Sequence, residues 1–327
     1  MALGQNTQKF FRNFLKQQEN SPSLAKPLEI NEFRNSCYQV FANYSQGLPK
    51  NIKKEDFIKI TLPINTICPA NIFIYKPKNI RIPNAAIIFF QGGGFVLNLI
   101  EANFAHCAKI AEESGCQIII IDYPLAPEYS AQQIFDFCNT VTKYIYINSE
   151  MFAINKNQFI IAGLSAGGNI AANIINESLI NKDMQFAQQI LISPWVDISL
   201  SIYKSSPYAD FQQADVMLDI SGMEYLQRNY LKRGEDPKSP IISPYYTMND
   251  SLKDMPPTVI VVAEYDALRG DSEAYYEKLT LLNINVKRIV CEGQTHNYAI
   301  CRKILNDGID PADIVAANII SSNIFDC

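Results

Sequence analysis

The chain has 327 residues, 48% of them hydrophobic and 19% charged. That balance suits a folded protein with a sizeable core and excludes an intrinsically disordered one. With 28 Lys and Arg against 33 Asp and Glu, the net charge is −5, and no basic block offers a reason to bind nucleic acid.

The first segment, MALGQNTQKFFRNFLKQQ, lacks a continuous apolar stretch, so no cleavable signal is expected. It sets Phe10, Phe11, Phe14 and Leu15 on one helical face, which predicts a helix packed on the rest of the protein rather than on a membrane. Eight cysteines form no C-x-x-C pair and have no histidine at metal-ligand spacing. They read as thiols of a reducing compartment and, with the missing signal, predict cytoplasmic residence without a bound metal. No apolar run reaches the length of a membrane span, so no stable membrane insertion is expected.

Strand patterns begin after residue 55. FIKITLPI (57–64) and NIFIYKP (71–77) lie close together and predict an antiparallel pair. AAIIFF (85–90), QIIIID (117–122), QFIIAG (158–163), QILIS (189–193), TVIVVAE (258–264) and VKRIVCE (286–292) follow. The later runs lack polar alternation, as strands covered on both faces do. Helical patterns fall between them at about 102–114, 131–147, 166–180 and 271–282. Eight strands alternating with helices predict an α/β fold with a mostly parallel, doubly wound sheet. Residues 1–50 and the aromatic-rich stretch 195–250 stand outside that rhythm. They predict a helical cap on a single domain spanning the whole chain.

Within QFIIAGLSAGGN, residues Gly163 to Gly167 fit G-x-S-x-G, the sharp strand-to-helix turn that lifts a serine oxygen above a sheet. If Ser165 is a nucleophile it needs a base, and the chain contains only His106 and His296. His106 lies in a helical pattern among apolar residues, whereas His296 follows the eighth strand directly. This fold orders its triad as serine, acid, histidine, which points to Asp266 at the end of the seventh strand. Glu264 is a rival acid, and Asp271 suits a helix cap better than Asp266 does. All three placements reach the carboxyl edge of the sheet, where ligands bind in open α/β folds. FFQGGGFVLN supplies backbone donors for an oxyanion: Gly93, Gly94 and Ala166, with Gly92 shaping the turn. No phosphate-binding G-x-x-x-x-G-K-[ST] pattern exists, so no nucleotide cofactor is implied.

With QGGGF (91–95), DYPLAPE (122–128), GLSAGGN (163–169), SPWVD (193–197), PPTVIVVAEYDALRGDSEAY (256–275) and GQTHNY (293–298) in this order, the chain resembles the hormone-sensitive-lipase-like group of the α/β-hydrolases. The resemblance implies an eight-stranded sheet with a cap and cofactor-free hydrolysis of a small-molecule carboxylic ester of short or medium acyl chain. It also implies a homodimer, although the sequence names no interface. Phe95, Trp195, Tyr203, Tyr208 and Phe211 are candidate pocket residues, with Met217 and Tyr225 nearby in the insertion. The departures are Gln91 for the usual His, Leu164 for the usual Asp, Pro124 for an Arg and Asn297 for a Gly. A glutamine amide can still hold the glycine loop by hydrogen bonding, and the backbone donors remain whatever it does. An amidase or arylformamidase-like hydrolase uses the same triad, and members that lost the histidine serve as small-molecule receptors. The presence of His296 separates this chain from the latter.

Overall fold

A computed structural model describes residues 29–44, 52–207, 218, 220–300 and 311–321. The amphipathic face of residues 10–15 and the residues Tyr208, Phe211 and Met217 lie outside that set. Eight strands form one sheet: β1 (Ile58–Thr61), β2 (Asn71–Tyr75), β3 (Ala86–Phe90), β4 (Gln117–Ile121), β5 (Phe159–Leu164), β6 (Gln188–Ile192), β7 (Thr258–Ala263) and β8 (Val286–Cys291). Their order across the sheet is β1-β2-β4-β3-β5-β6-β7-β8. β1 pairs antiparallel with β2, and β2 with β4. Every other pairing is parallel.

The apolar runs become central strands because both faces of the sheet are covered. Along β3, Ala86, Ile88 and Phe90 enter one core, with Ile119, Ile161 and Leu191 of the neighbouring strands. The alternate residues Ile87 and Phe89 enter the other, with Ile118, Ile120 and Ile160. Helices Ala131–Ile147, Ala166–Asn181 and Arg269–Leu281 supply apolar residues to the first core. Helices Glu101–Ser114 and Pro311–Ser321 do so for the second. His106 is buried in helix Glu101–Ser114, its ring edge-on to that of Phe89 with the centroids 6.0 Å apart. No helix among the described residues is long and apolar enough to cross a membrane.

The parallel register matters for function. Phe90 of β3 pairs with Gly163, Leu164 of β5 with Ile192, and Ala263 of β7 with Cys291 of β8. β3, β5, β7 and β8 therefore end within a few residues of one another, and the residues that follow them emerge on one edge.

Candidate active site

The turn after β5 is built by exclusion of side chains. A Cβ on Gly163 would lie 2.1 Å from the Gly167 carbonyl oxygen, and one on Gly167 would lie 2.1 Å from that of Phe90. Only glycine allows strand, turn and helix to approach so closely. Between them Ser165 takes φ 56°, ψ −117°, a conformation that costs an L-residue about 1–3 kcal/mol. It is held there because Ser165 N–H donates to Ile192 O at 2.9 Å, while its own carbonyl accepts from Asn169 N–H at 3.1 Å. The strain is thus maintained by the sheet and by the helix that begins at Ala166.

Asp266 lies in the turn between β7 and helix Arg269–Leu281, and His296 opens a short 3-10 turn, His296–Ala299, after β8. His296 Nδ1 is 2.9 Å from each carboxylate oxygen of Asp266, and Nε2 is 2.9 Å from Ser165 Oγ. All three side chains are buried. With the imidazole proton on Nδ1, facing the carboxylate, Nε2 is left as an acceptor for the serine hydroxyl. Asp266 Oδ1 also accepts from Leu268 N–H at 2.7 Å, which fixes the carboxylate plane.

The rival acid has a different task. Glu264 follows the last residue of β7, and its Oε2 accepts from Gly293 N–H at 2.7 Å. Tyr265 N–H donates to Gln294 O at 2.8 Å. These bonds tie the loop carrying Asp266 to the loop carrying His296. Asp271, expected to cap the following helix, lies inside it. Its Oδ1 accepts instead from Val196 and Asp197 N–H, at 3.0 and 2.8 Å, across the site. Burial, with Asp197 close by, pushes the Asp271 carboxyl well above the usual carboxylate range.

The glycine loop lies directly on the serine: a Cβ on Gly92 would be 3.0 Å from Leu164 O and 3.2 Å from Ser165 Cβ. Gly93 and Gly94 have φ of 120° and 59°, and their N–H groups donate to no protein acceptor among the described residues. The Gln91 amide is fully buried without a hydrogen-bond partner among the described residues, so it makes no bond that could hold the loop. Tyr123 does, its hydroxyl donating to Gln91 O at 2.9 Å.

Residues 87–300 match the family model described as the alpha/beta hydrolase fold. The chain belongs to that family. Its curated relatives include an arylesterase of Saccharolobus solfataricus, 28% identical over 76% of this chain and 75% of that protein. An ethyl acetate hydrolase of Pseudomonas putida is 22% identical over 72% and 73%. The solved Pyrobaculum calidifontis esterase superposes with a TM-score of 0.79 at 25% identity, covering 91% of this chain and 94% of that one. Within the alpha/beta hydrolases the chain falls in the hormone-sensitive-lipase-like group, as its motifs imply.

A cavity of about 100 Å³ opens onto Ser165 and His296, between the glycine loop and the segments outside the strand–helix rhythm. Phe33, Cys37, Tyr38 and Phe41 of helix Ile30–Tyr44 form one wall, and Met223 and Leu226 of helix Ile220–Tyr230 form another. Trp195 lines the cavity, as expected. Phe95 and Tyr203 do not. Phe95 stacks on Tyr230 at 3.8 Å in the core beneath, and Tyr203 is buried in the same core. An aromatic near a motif is as easily a packing residue as a wall. Tyr225 meets Phe33 ring to ring at 4.7 Å.

Sequence reasoning missed three residues of the helix Ala166–Asn181. Asn169 Nδ2 donates to Trp195 O and Ile242 O, both at 2.8 Å, and Asn173 Nδ2 to Asn169 Oδ1 and Ile241 O, both at 2.9 Å. Asn176 Nδ2 reaches Thr247 Oγ1 at 2.9 Å. The signal was present: three asparagines at i, i+4 and i+7 share one face of an otherwise apolar helix. They bind the backbone of 241–247 to the helix that follows Ser165. Among the described residues, no group of three or more His, Cys, Asp or Glu could hold a metal ion.

Proposed function

We propose that the protein, a carboxylesterase-like hydrolase by family, cleaves small carboxylic esters through an acyl-enzyme on Ser165. The observation that carries this is the continuous path from Ser165 Oγ through His296 to Asp266, each step 2.9 Å. In this mechanism Ser165 Oγ attacks the ester carbonyl carbon as His296 Nε2 takes its proton. Asp266 stabilises the imidazolium and keeps its ring in place. The alkoxide that forms is held by the N–H groups of Gly93, Gly94 and Ala166, with Gly92 shaping the loop. Collapse expels the alcohol, which takes the proton from His296. Water, deprotonated by the same nitrogen, then attacks the acyl carbon and releases the acid.

The cavity of about 100 Å³ favours a short acyl chain, since pockets enclosing drug-sized ligands run to ~300–1,000 Å³. The histidine lodged between Ser165 and Asp266 argues against a binding-only protein. The test is hydrolysis of p-nitrophenyl acetate, butyrate and octanoate by wild type, Ser165→Ala and His296→Ala, with matched anilides alongside. The expected result is turnover falling with chain length and a loss of at least about 10⁴-fold in kcat in either variant. A fluorophosphonate should label wild type at Ser165. Faster anilide than ester cleavage would make it an amidase. Silence on every substrate, with no labelling, would overturn the enzyme mechanism.

A further inference from the structure

The cavity beside Ser165 is apolar on most sides, but one buried polar group in its wall has no task in the chemistry described above. Asn103 lies in the first turn of helix Glu101–Ser114, is 5% exposed, and lines the cavity together with Ser165 and His296. Its two amide atoms are in different situations. Oδ1 accepts from Ile100 N–H at 2.9 Å, closing the start of the helix. That bond fixes which way the amide is turned, because a flipped amide would set two N–H groups against a third. Nδ2 is left with no protein acceptor among the described residues. That nitrogen is not among the fully buried unpartnered atoms, so water can reach it, and a ligand that displaces this water without accepting from Nδ2 forfeits about 1–3 kcal/mol. Helix formation does not need it, since an aspartate would close the helix start equally well.

The surroundings say what kind of acceptor fits. Tyr38, from helix Ile30–Tyr44, also lines the cavity, and its hydroxyl oxygen accepts from Asn98 N–H at 2.9 Å, leaving its O–H to donate. Among the described residues, no Lys, Arg, Asp or Glu lines the cavity. Two neutral donors without a cation suit an uncharged oxygen and give no compensation for burying a carboxylate. A wholly hydrocarbon ester would leave Nδ2 unpaired, and a site built to bond an oxygen discriminates strongly against the analogue lacking it.

We propose that Asn103 is a specificity-determining residue whose amide NH₂ donates to an uncharged oxygen carried on one arm of the ester, so that the preferred substrates are hydroxy-, alkoxy- or oxo-esters. This rests on the esterase mechanism proposed for Ser165. The donor competes with water for every substrate, and only an oxygen-bearing arm replaces that water when it enters.

The experiment compares kcat/KM on matched pairs that differ by one oxygen. Ethyl butyrate against ethyl 3-hydroxybutyrate probes the acyl arm, and butyl acetate against 2-methoxyethyl acetate the alcohol arm. Each pair is run with wild type, Asn103→Asp and Asn103→Leu. Asn103→Asp retains the acceptor for Ile100 N–H while removing the NH₂ donor, so it separates recognition from helix closure. The expected result is a preference of about three- to tenfold for the oxygenated member of one pair in wild type, the span of one neutral hydrogen bond. That ratio should fall to about one or below in Asn103→Leu for either pair, and in Asn103→Asp for the methoxy pair, whose ether oxygen can only accept. Equal kcat/KM within both pairs in wild type, or a preference that survives in these variants, would overturn the proposal while leaving the esterase mechanism intact. If no ester is turned over, the esterase mechanism fails instead. Calorimetric binding of the same pairs to the Ser165→Ala protein then decides the role of Asn103 by the same ratio.

Discussion

The sheet edge and the segments facing it across the cavity are held by opposite means. At the sheet edge, backbone meets backbone. Gly163, Gly167 and Phe90 approach so closely that a single methyl group has no room, and Ser165 is locked by bonds to Ile192 and Asn169. On the far side, side chains reach across to carbonyls. Arg34 of helix Ile30–Tyr44 donates to Val96 O and Ala126 O at 2.8 and 2.9 Å and makes two 2.7 Å bonds to Glu128. The stretch 241–247 hangs from Asn169, Asn173 and Asn176, and from Lys278 Nζ, which donates to Tyr245 O and Thr247 O. The proposed nucleophile thus sits where backbone is packed without room for a side chain. The facing wall of the cavity is attached by side-chain bonds that can be lost singly.

Substitutions should separate the two regions by size of effect. Gly167→Ala should be the most damaging, since its Cβ would lie 2.1 Å from Phe90 O and 2.5 Å from Gln91 O. A loss of about 3 kcal/mol or more in denaturant unfolding, together with loss of fluorophosphonate labelling, is expected. A well-folded, fully active variant would break the comparison. Asn169→Ala leaves the buried carbonyls of Trp195 and Ile242 without this partner, so a stability loss of about 2–3 kcal/mol is expected. It should be accompanied by faster proteolysis within 241–247.

Arg34→Met keeps the aliphatic stem and removes five bonds, among them a long one to Asn31 and those to the half-exposed Glu128. The pair with Glu128 is discounted for solvent screening. A stability change of about 1 kcal/mol should then come with a KM raised roughly threefold, because Phe33 and Tyr38 on the same helix line the cavity. An unchanged KM would show that this helix does not shape the substrate site. The smallest effect concerns Asp271. Because burial raises its carboxyl pKa in the folded state, the folded protein keeps a proton that the unfolded chain releases. That contribution is full below the unfolded value of about 4 and is lost as pH rises above it. Asp271→Asn retains an acceptor for Val196 and Asp197 N–H without the titration. Its melting temperature should fall less than that of wild type between pH 5 and pH 8.

Much of the site was legible because its parts are local. G-x-S-x-G, QGGG and the loop after β8 each sit within a few residues of an apolar run, and parallel strands of similar length end on one edge. Glu264 and Asp271 were harder to read. Both are acids near the right strand end, and what separates them from Asp266 is a bond to Gly293 in one case and to Val196 and Asp197 in the other. Gln91 shows the same limit. An amide can hold a loop, but Tyr123 from β4's far end reached the carbonyl first.

The amino-acid sequence alone determined the alternation of strands and helices, the two cores on either side of the sheet, and the turn that strains Ser165. Those follow from periodicity and from glycine's missing side chain, which act over a few residues. Only the tertiary structure decided which aromatics line the cavity. Phe95 turned to stack on Tyr230, while Phe33 and Tyr38 arrived from a helix far away in the chain. It also decided that Asn103 has its oxygen bonded to Ile100 N–H while its nitrogen meets no acceptor among the described residues. Contacts of that kind depend on where distant segments come to rest, and no local pattern of residues encodes that position.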